Sequence, residues 1–562
     1  MNTQFDAIVI GSGITGGWAA KELTEQGLKV LMIERGRMIE HIKDYTTETK
    51  APWEMPYRGF GDASVINRDY QVQSHGRGFD EWNMHHFVND REHPYQTDAD
   101  APFNWIRGYQ LGGRSLMWGR QSYRWGDIDF SANATDGYGV DWPIRYRDLA
   151  PWYDHVEQFI GVSGSREGLA QLPDGQFQPP MALNVVEQHA KRQLEAALPD
   201  RRLIIGRVAN LTEAKPGRAP CQYRSICARG CSYGAYFSTQ SSTLPAAKAT
   251  GNLTLLTDTV VESISYDVGT KRATGVRVSN SQTRESAAYT ASLVFLCASS
   301  FNSVAVMLRS ASEQFPDGLA NRSGVLGRYI MDHANTLAAV GSMPGFEDRT
   351  SFGNRPTGII IPRFRNVNAH DGDFLRGYSY QGGAYQRGWP RGEAQAGIGS
   401  EYKTALRAPG PWMFALVAFA ECLPRPHNRI TLDPGAVDSQ GLSQIHIRMA
   451  YGDNEKAALK DAAAEARRML AVMGGTVQLS FAEPGTPGTA IHEMGGARMG
   501  RDPATSVLNA HNQAHDVKNL FVTDGACMAS SACQNPSLTY MALTARACSY
   551  AVQQLKAGNL HV

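Results

Sequence analysis

Three of the chain's eight cysteines, Cys221, Cys227 and Cys231, stand in the eleven residues CQYRSICARGC, while the other five are scattered. Thiolates are soft ligands and redox groups, so a C-x5-C-x3-C loop points to metal, redox or buried-thiol roles. Eight cysteines in 562 residues do not make a disulfide scaffold. A second constellation opens the chain. In FDAIVIGSGITGGWAAKELTEQGLKVLMIERG the run Phe5 to Ile10 is nearly all apolar, as a parallel strand buried on both faces should be. Gly11, Gly13 and Gly16 then supply G-x-G-x-x-G ahead of a helical pattern. Residues 29 to 33 read as a second strand, and Glu34 closes it about 20 residues beyond the glycines. Such glycines let backbone approach a pyrophosphate at a helix N-terminus, where free N–H groups and the helix dipole favour negative charge. A carboxylate at Glu34 can accept hydrogen bonds from a ribose. This is the signature of a dinucleotide site.

The elements that must hold these groups are uneven in legibility. A chain of this length predicts two or more domains, or one elaborated body. Lys plus Arg (55) balances Asp plus Glu (54), which argues against nucleic acid or an anionic membrane surface as main partner. No apolar run approaches the roughly 20 residues of a membrane helix. The opening residues enter a strand almost at once, leaving no room for an export signal. Residues 37 to 100 read as long loops and short strands. GYQLGGRSLMWGRQSYRW sets Gly108, Gly112, Gly113 and Gly119 among Trp118, Tyr123 and Trp125, as a flat ligand or a sugar would require, although aromatics in a core loop would look the same. Residues 252 to 280 alternate apolar and polar around Gly269, predicting antiparallel strands, and residues 291 to 311 return to a buried strand followed by a helix. Residues 359 to 447 predict most of a second, sheet-based domain. Residues 453 to 475 predict a helix capped by Asp453 and ended by Gly474 and Gly475, and Asn535-Pro536 predicts the start of a long C-terminal helix.

Four motifs in order, GSGITGG with Glu34, GYQLGGRSLMWG, HEMGGARMG at 492 to 500 and VTDGACMASSACQNPSLTYMALTARA at 522 to 547, resemble the glucose-methanol-choline oxidoreductases. The resemblance runs from the first residues to the last helix. It implies an α/β fold, α+β overall, with a Rossmann-like FAD-binding domain of discontinuous segments (1–40, 101–335 and 480–562, the cysteine loop included) and a sheet-based substrate domain (41–100 and 336–479). It implies FAD and oxidation of an alcohol. The family's catalytic histidine falls on His492 and its partner on Asn535: a neutral imidazole takes the hydroxyl proton while hydride leaves for the flavin, and an amide holds the alcohol oxygen. Beside Gly11, Gly13, Gly16 and Glu34, the cofactor contacts implied are Gly113, Ser115, Asp524 and Gly525, and the dipole of the last helix would favour a reduced, anionic flavin. Asp332 and His333 of LGRYIMDHANT could touch substrate or end a structural segment; His511 and His515 read as polar loop residues.

The family's oxidases need no metal, whereas the loop of Cys221, Cys227 and Cys231 resembles that of bacterial flavin-dependent sugar dehydrogenases, where three cysteines hold a [3Fe-4S] cluster. A disulfide plus a free thiol, or zinc short of a fourth ligand, are the other readings. The cluster would imply a cytochrome c-type acceptor and a small chaperone-like subunit carrying the export signal. The flavoprotein would then be a periplasmic passenger, with any membrane contact made through partner subunits; a cytoplasmic home is the alternative. The run NWIRGYQLGGRSLMWGRQSYRWGDIDF resembles bacterial glucoside 3-dehydrogenases, which implies a sugar or glucoside oxidised at C3. Glucose oxidation at C1, gluconate oxidation at C2, an oxygen-using oxidase and a non-catalytic flavoprotein subunit stay open.

Overall fold

The computed structural model describes residues 4–350 and 353–560. The opening run forms the strand Gln4–Ile10, with its last four residues buried. It pairs in parallel with Val30–Ile33 on one side and Ser286–Leu296 on the other, and Leu253–Leu256 extends the sheet, also in parallel, beyond Val30–Ile33. The long strand Ser286–Leu296 serves two partners in turn. Its first half pairs antiparallel with Arg272–Asn280, which pairs in turn with Thr259–Asp267; its last residues pair in parallel with Leu520–Val522. The antiparallel pair around Gly269 is therefore as the alternation predicts, but Leu253–Leu256 is not part of it. Asp258, at φ 50°, breaks the chain between the two strands and donates its N–H to the Gly36 carbonyl at 2.9 Å, turning the first of them into the parallel sheet.

Helix Ile14–Glu25 is buried on almost every side, beneath the C-terminal helix Ser537–Lys556 and beside Thr243–Ala249. Two glycines allow this closeness. Gly11 sits at φ 95°, and a Cβ on Gly16 would lie 1.9 Å from the Gly11 carbonyl oxygen. The C-terminal helix begins at Ser537 with Pro536 in the capping position, so Asn535 stands just outside it and its side chain is free for other work.

A second, antiparallel sheet runs Thr476–Leu479, Ala334–Ser342, Trp412–Ala420, Tyr378–Gln386, Ile359–Ile361, Ile204–Ile205. One face is covered by helices Asp453–Val472 and Val185–Ala197 in a core that includes Phe414, Leu416, Leu459 and Met469. Two features differ from the sequence expectation. The edge strand Ile204–Ile205 comes from far upstream, and Arg429–Val437 with Ser443–Arg448 leave this sheet to pair with Gln96–Thr97. Both pairings are long-range, which local alternation cannot encode. Helix Asp453–Val472 is also capped differently. Gly452 is its N-cap, and the Glu455 carboxylate accepts the Gly452 N–H at 2.7 Å, so Asp453 is the first helical residue rather than the cap. Residues 37 to 100 contain a short helix, Ala63–Asp69, whose N-cap Asp62 accepts the Ser64 N–H at 2.8 Å. Among the described residues no helix is long and apolar enough to cross a membrane.

Candidate active site

One cavity of about 760 Å³ joins the glycine turn to the loop at His492 and to the cysteine loop. At one end lie Gly11, Ser12, Gly13 and Glu34. The helix that follows has no side-chain cap and no acidic residue in its first turn, and nothing lies within 4 Å of where a Gly13 Cβ would be. Free N–H groups over open space are what a pyrophosphate needs. Glu34 is buried, which raises its pKa. Its carboxylate accepts the Ser12 N–H at 3.2 Å, the Ser12 hydroxyl at 2.6 Å and the Gly36 N–H at 2.9 Å. It thus shapes the turn as well as facing the cavity.

The GGRS turn leans on this loop. The Gly112 N–H donates to the Ser12 hydroxyl oxygen at 2.8 Å, and Gly113, at φ 50°, would place a Cβ 3.7 Å from the Gly13 Cα. Ser115 lines the cavity but is already engaged. Its hydroxyl donates to the Gly112 carbonyl at 2.6 Å and accepts the Thr239 N–H at 3.1 Å. Asp524, after strand Leu520–Val522, accepts the Ser303 hydroxyl and the Ala526 N–H, and burial pushes its pKa up to about 6. The neighbouring Gly525 carbonyl accepts the Gly495 N–H at 2.8 Å. Every cofactor contact read from the sequence except Gly16 therefore lines one space; Gly16 lies under it as a packing residue.

At the other end His492 and Asn535 are brought together, with the Asn535 amide donating to His492 Nε2 at 3.0 Å. Residues 331 to 333 and 492 to 494 are laced by reciprocal N–H to carbonyl bonds between Met331 and Met494, at 2.8 and 2.9 Å. Asp332, fully buried, accepts the His492 N–H at 3.0 Å and the Gly488 N–H at 2.8 Å, fixing the loop on which His492 stands. Burial, then the charge of Glu493, raises the Asp332 pKa to about 7. Neither Asp332 nor His333 reaches the cavity, so neither touches substrate: both stand behind His492.

His333 decides which nitrogen of His492 is basic. Its Nε2 lies 3.1 and 3.0 Å from the Ser531 and Ala532 carbonyls, which only accept, so that nitrogen carries the proton. Burial lowers the His333 pKa to about 4, leaving the ring neutral and its Nδ1 a bare acceptor. His492 Nδ1, 2.8 Å away, must then be the donor, and His492 Nε2 is left unprotonated, its lone pair turned to the Asn535 amide at the cavity wall. Burial first, then the charges of Arg114 and Arg77, hold the His492 pKa well below the usual imidazole range. The Asn535 amide oxygen accepts from Gln381 at 2.5 Å, which orients the amide. Gln381 and Phe419, from adjacent strands of the second sheet, close the cavity opposite His492. Arg114 clamps the Glu493 carboxylate with two bonds of 2.9 and 2.7 Å, tying the GGRS turn to the His492 loop. His333, Gln381 and Arg114 were not assigned these roles from sequence. Only Arg114 and Glu493 left a signal there, as opposite charges inside two separate motifs.

The cysteine loop turns through Gly230, at φ 100° against the Tyr45 ring, and is anchored by Glu48, which accepts from Arg224 and from the Ser232 N–H at 2.9 Å. Cys221, Cys227 and Cys231 are half-buried free thiols, and Cys227 lines the cavity. Among the described residues no group of three or more His, Cys, Asp or Glu side chains is arranged to hold a single metal ion. His511 stacks on Tyr550 at 3.8 Å and His515 bonds Ser506, both away from the cavity.

A Rossmann-like half with a buried dinucleotide turn, joined to a sheet that closes over a neutral His–Asn pair, defines a flavin-type oxidoreductase. Family models described as GMC oxidoreductase match residues 5–335 and 424–544, and the chain belongs to that family. It is 28% identical to the 2-methyl-1,2-propanediol dehydrogenase of Mycolicibacterium austroafricanum, over 97% of this chain and 95% of that protein. It is 25% identical to the fructose dehydrogenase large subunit of Gluconobacter japonicus (98% of each chain) and to the gluconate 2-dehydrogenase flavoprotein of Pantoea cypripedii (96% and 92%). The crystal structure of pyridoxine 4-oxidase from Mesorbium loti shares the fold, with a TM-score of 0.59 at 17% identity over 98% and 99% of the two chains. The family's cofactor is FAD, and the open space over Gly13, the free helix N-terminus and the Glu34 carboxylate fit it.

Gly16→Ala is expected to cost about 1–3 kcal/mol of stability, because its Cβ meets backbone rather than a flexible side chain. The melting temperature and the ratio of flavin absorbance to protein should both fall. In Gly13→Ala only the flavin ratio should fall.

Proposed function

We propose that the chain is the flavoprotein of a dehydrogenase that oxidises a secondary alcohol of a sugar or glucoside, foremost C3 of a glucoside, and passes electrons through an iron-sulfur cluster to a cytochrome c-type acceptor. The observation that carries the reading is the single cavity shared by the dinucleotide turn, the His492–Asn535 pair and Cys227. His492 Nε2 takes the hydroxyl proton and Asn535 holds the alcohol oxygen as the carbon-bound hydrogen leaves with its electron pair, so a carbonyl forms. FAD, when bound, supplies the two-electron acceptor. Cys221, Cys227 and Cys231 would hold a [3Fe-4S] cluster, whose one-electron chemistry would suit a relay.

Relatives named for fructose and gluconate, and for paromamine, support a polyhydroxylated substrate. Two of them are named as a large subunit and a flavoprotein, which supports a multi-subunit enzyme; a small chaperone-like subunit and a periplasmic home as its exported passenger are part of the same proposal.

The test is anaerobic purification with iron analysis and electron paramagnetic resonance, beside Cys227→Ser, and mixing with methyl glucoside, glucose and gluconate. About three irons per flavin, a [3Fe-4S] signal lost in the variant, and a 3-keto glucoside as product are expected. Iron-free protein that reduces its flavin and turns over with oxygen alone would make it an oxidase. A flavin that no alcohol reduces would make it a non-catalytic subunit.

A further inference from the structure

Arg77 is a cation without an anion. It lines the cavity and is exposed, and among the described residues it makes no hydrogen bond and no ion pair. Its guanidinium lies 5.9 Å from the Phe419 ring centre, and that ring lies 6.0 Å from the His492 ring. The other arginines at this end are engaged. Arg114 is clamped to Glu493, Arg355 is paired with Glu187 at 2.8 Å, and Arg120 donates to the Trp118 and Pro356 carbonyls. Glu493, which lines this end, is already neutralised by Arg114.

A guanidinium loses hydration when it is enclosed, and a structure usually offsets that with a carboxylate or a set of carbonyls. Arg77 has no such partner, and its exposed side chain is open to an anion that enters the cavity it lines. A neutral sugar hydroxyl can accept one N–H. A carboxylate or phosphate can take two in parallel and neutralise the charge as well.

We propose that Arg77 is a specificity residue that recognises an oxyanion on the substrate, so that the preferred substrate is an acidic sugar or glycoside, bearing a carboxylate or a phosphate away from the oxidised carbon. This rests on the reading of the chain as a sugar dehydrogenase and narrows its substrate class. The oxyanion would sit between Arg77 and the Phe419 edge, leaving the hydroxyl to be oxidised at His492.

The experiment compares holoenzyme and its Arg77→Leu and Arg77→Lys variants. Anaerobic flavin reduction is followed with methyl glucoside, methyl glucuronide, gluconate and glucose 6-phosphate, and binding of the poor substrates is followed by competition. The expected result is a preference of tenfold or more, in KM rather than kcat, for at least one acidic sugar over methyl glucoside. That preference should be lost in Arg77→Leu, partly kept in Arg77→Lys and weakened by salt. Whether the carboxylates or the phosphate show it identifies the anion. Methyl glucoside as the better substrate, with KM unmoved in Arg77→Leu, would overturn the proposal while leaving the sugar dehydrogenase standing. An equal loss of kcat for neutral and acidic sugars would also overturn it, and would place the cation's effect on the reaction centre. Failure of every sugar to reduce the flavin would instead defeat the broader reading.

Discussion

Replacing His492 by alanine is expected to slow anaerobic flavin reduction by about a hundred- to ten-thousand-fold, the range for loss of a positioned base, with flavin content unchanged. The side chain stands at the cavity wall and its backbone N–H to Asp332 survives the change, so the loop should hold. The pH dependence follows from burial. A base must be unprotonated to work, so the rate falls as pH falls through the base's pKa. Because His492 is held well below the ordinary imidazole value near 6.5, the acid limb should lie below that pH and the rate should be level through neutrality. A stopped-flow pH profile checks both points. An acid limb centred at or above 6.5 would mean that another group, or a fully hydrated imidazole, takes the proton.

His333→Leu should cost about ten- to a hundred-fold in the same rate, and His333→Asn should recover most of it. The bond from His492 Nδ1 to His333 keeps the proton off Nε2, and one buried hydrogen bond of this kind is worth about 1–3 kcal/mol. Leucine cannot accept that proton, whereas an asparagine carbonyl oxygen can stand where His333 Nδ1 stood. Nitrogen NMR of labelled histidine reads the tautomer directly: Nε2 bare in the parent and in His333→Asn, mixed in His333→Leu. Equal slowing in both variants with an unchanged tautomer would reduce His333 to a space-filling residue.

These two predictions divide what was legible in the sequence from what was not. The turn at Gly11, Gly13 and Gly16 was legible because three glycines, a buried strand and a carboxylate all fall within thirty residues and each has a local reason. His492 and Asn535 were legible by resemblance of the segments that carry them. His333 was seen as a candidate but its role was not, because what it does depends on a bridge between residues 331 and 494 and on carbonyls at 531 and 532, distant in the chain. Gln381 and Phe419 stand on strands whose sequences differ little from other half-buried strands, and only the pairing of residues 378–386 with 412–420 aims them at one place. The cap of the helix at residue 453 failed for a smaller reason. Two acidic residues lie within three positions, and the one reaching back, Glu455, outcompetes the one in front.

The reacting histidine is fixed by main-chain bonds and by buried partners on loops, while Gln381 and Phe419 reach it from a separate sheet whose strands are braced by helices on the far side. Such a split has an evolutionary consequence. Apart from Gln381, which orients Asn535, and Ser379, which donates to the Cys533 carbonyl, side chains on the two strands can change without disturbing proton placement, because they make no hydrogen bond to the loop that carries His492. New substrates can therefore be sampled by descendants of one ancestor at little risk to turnover. Changes behind His492, by contrast, would cost turnover whatever the substrate.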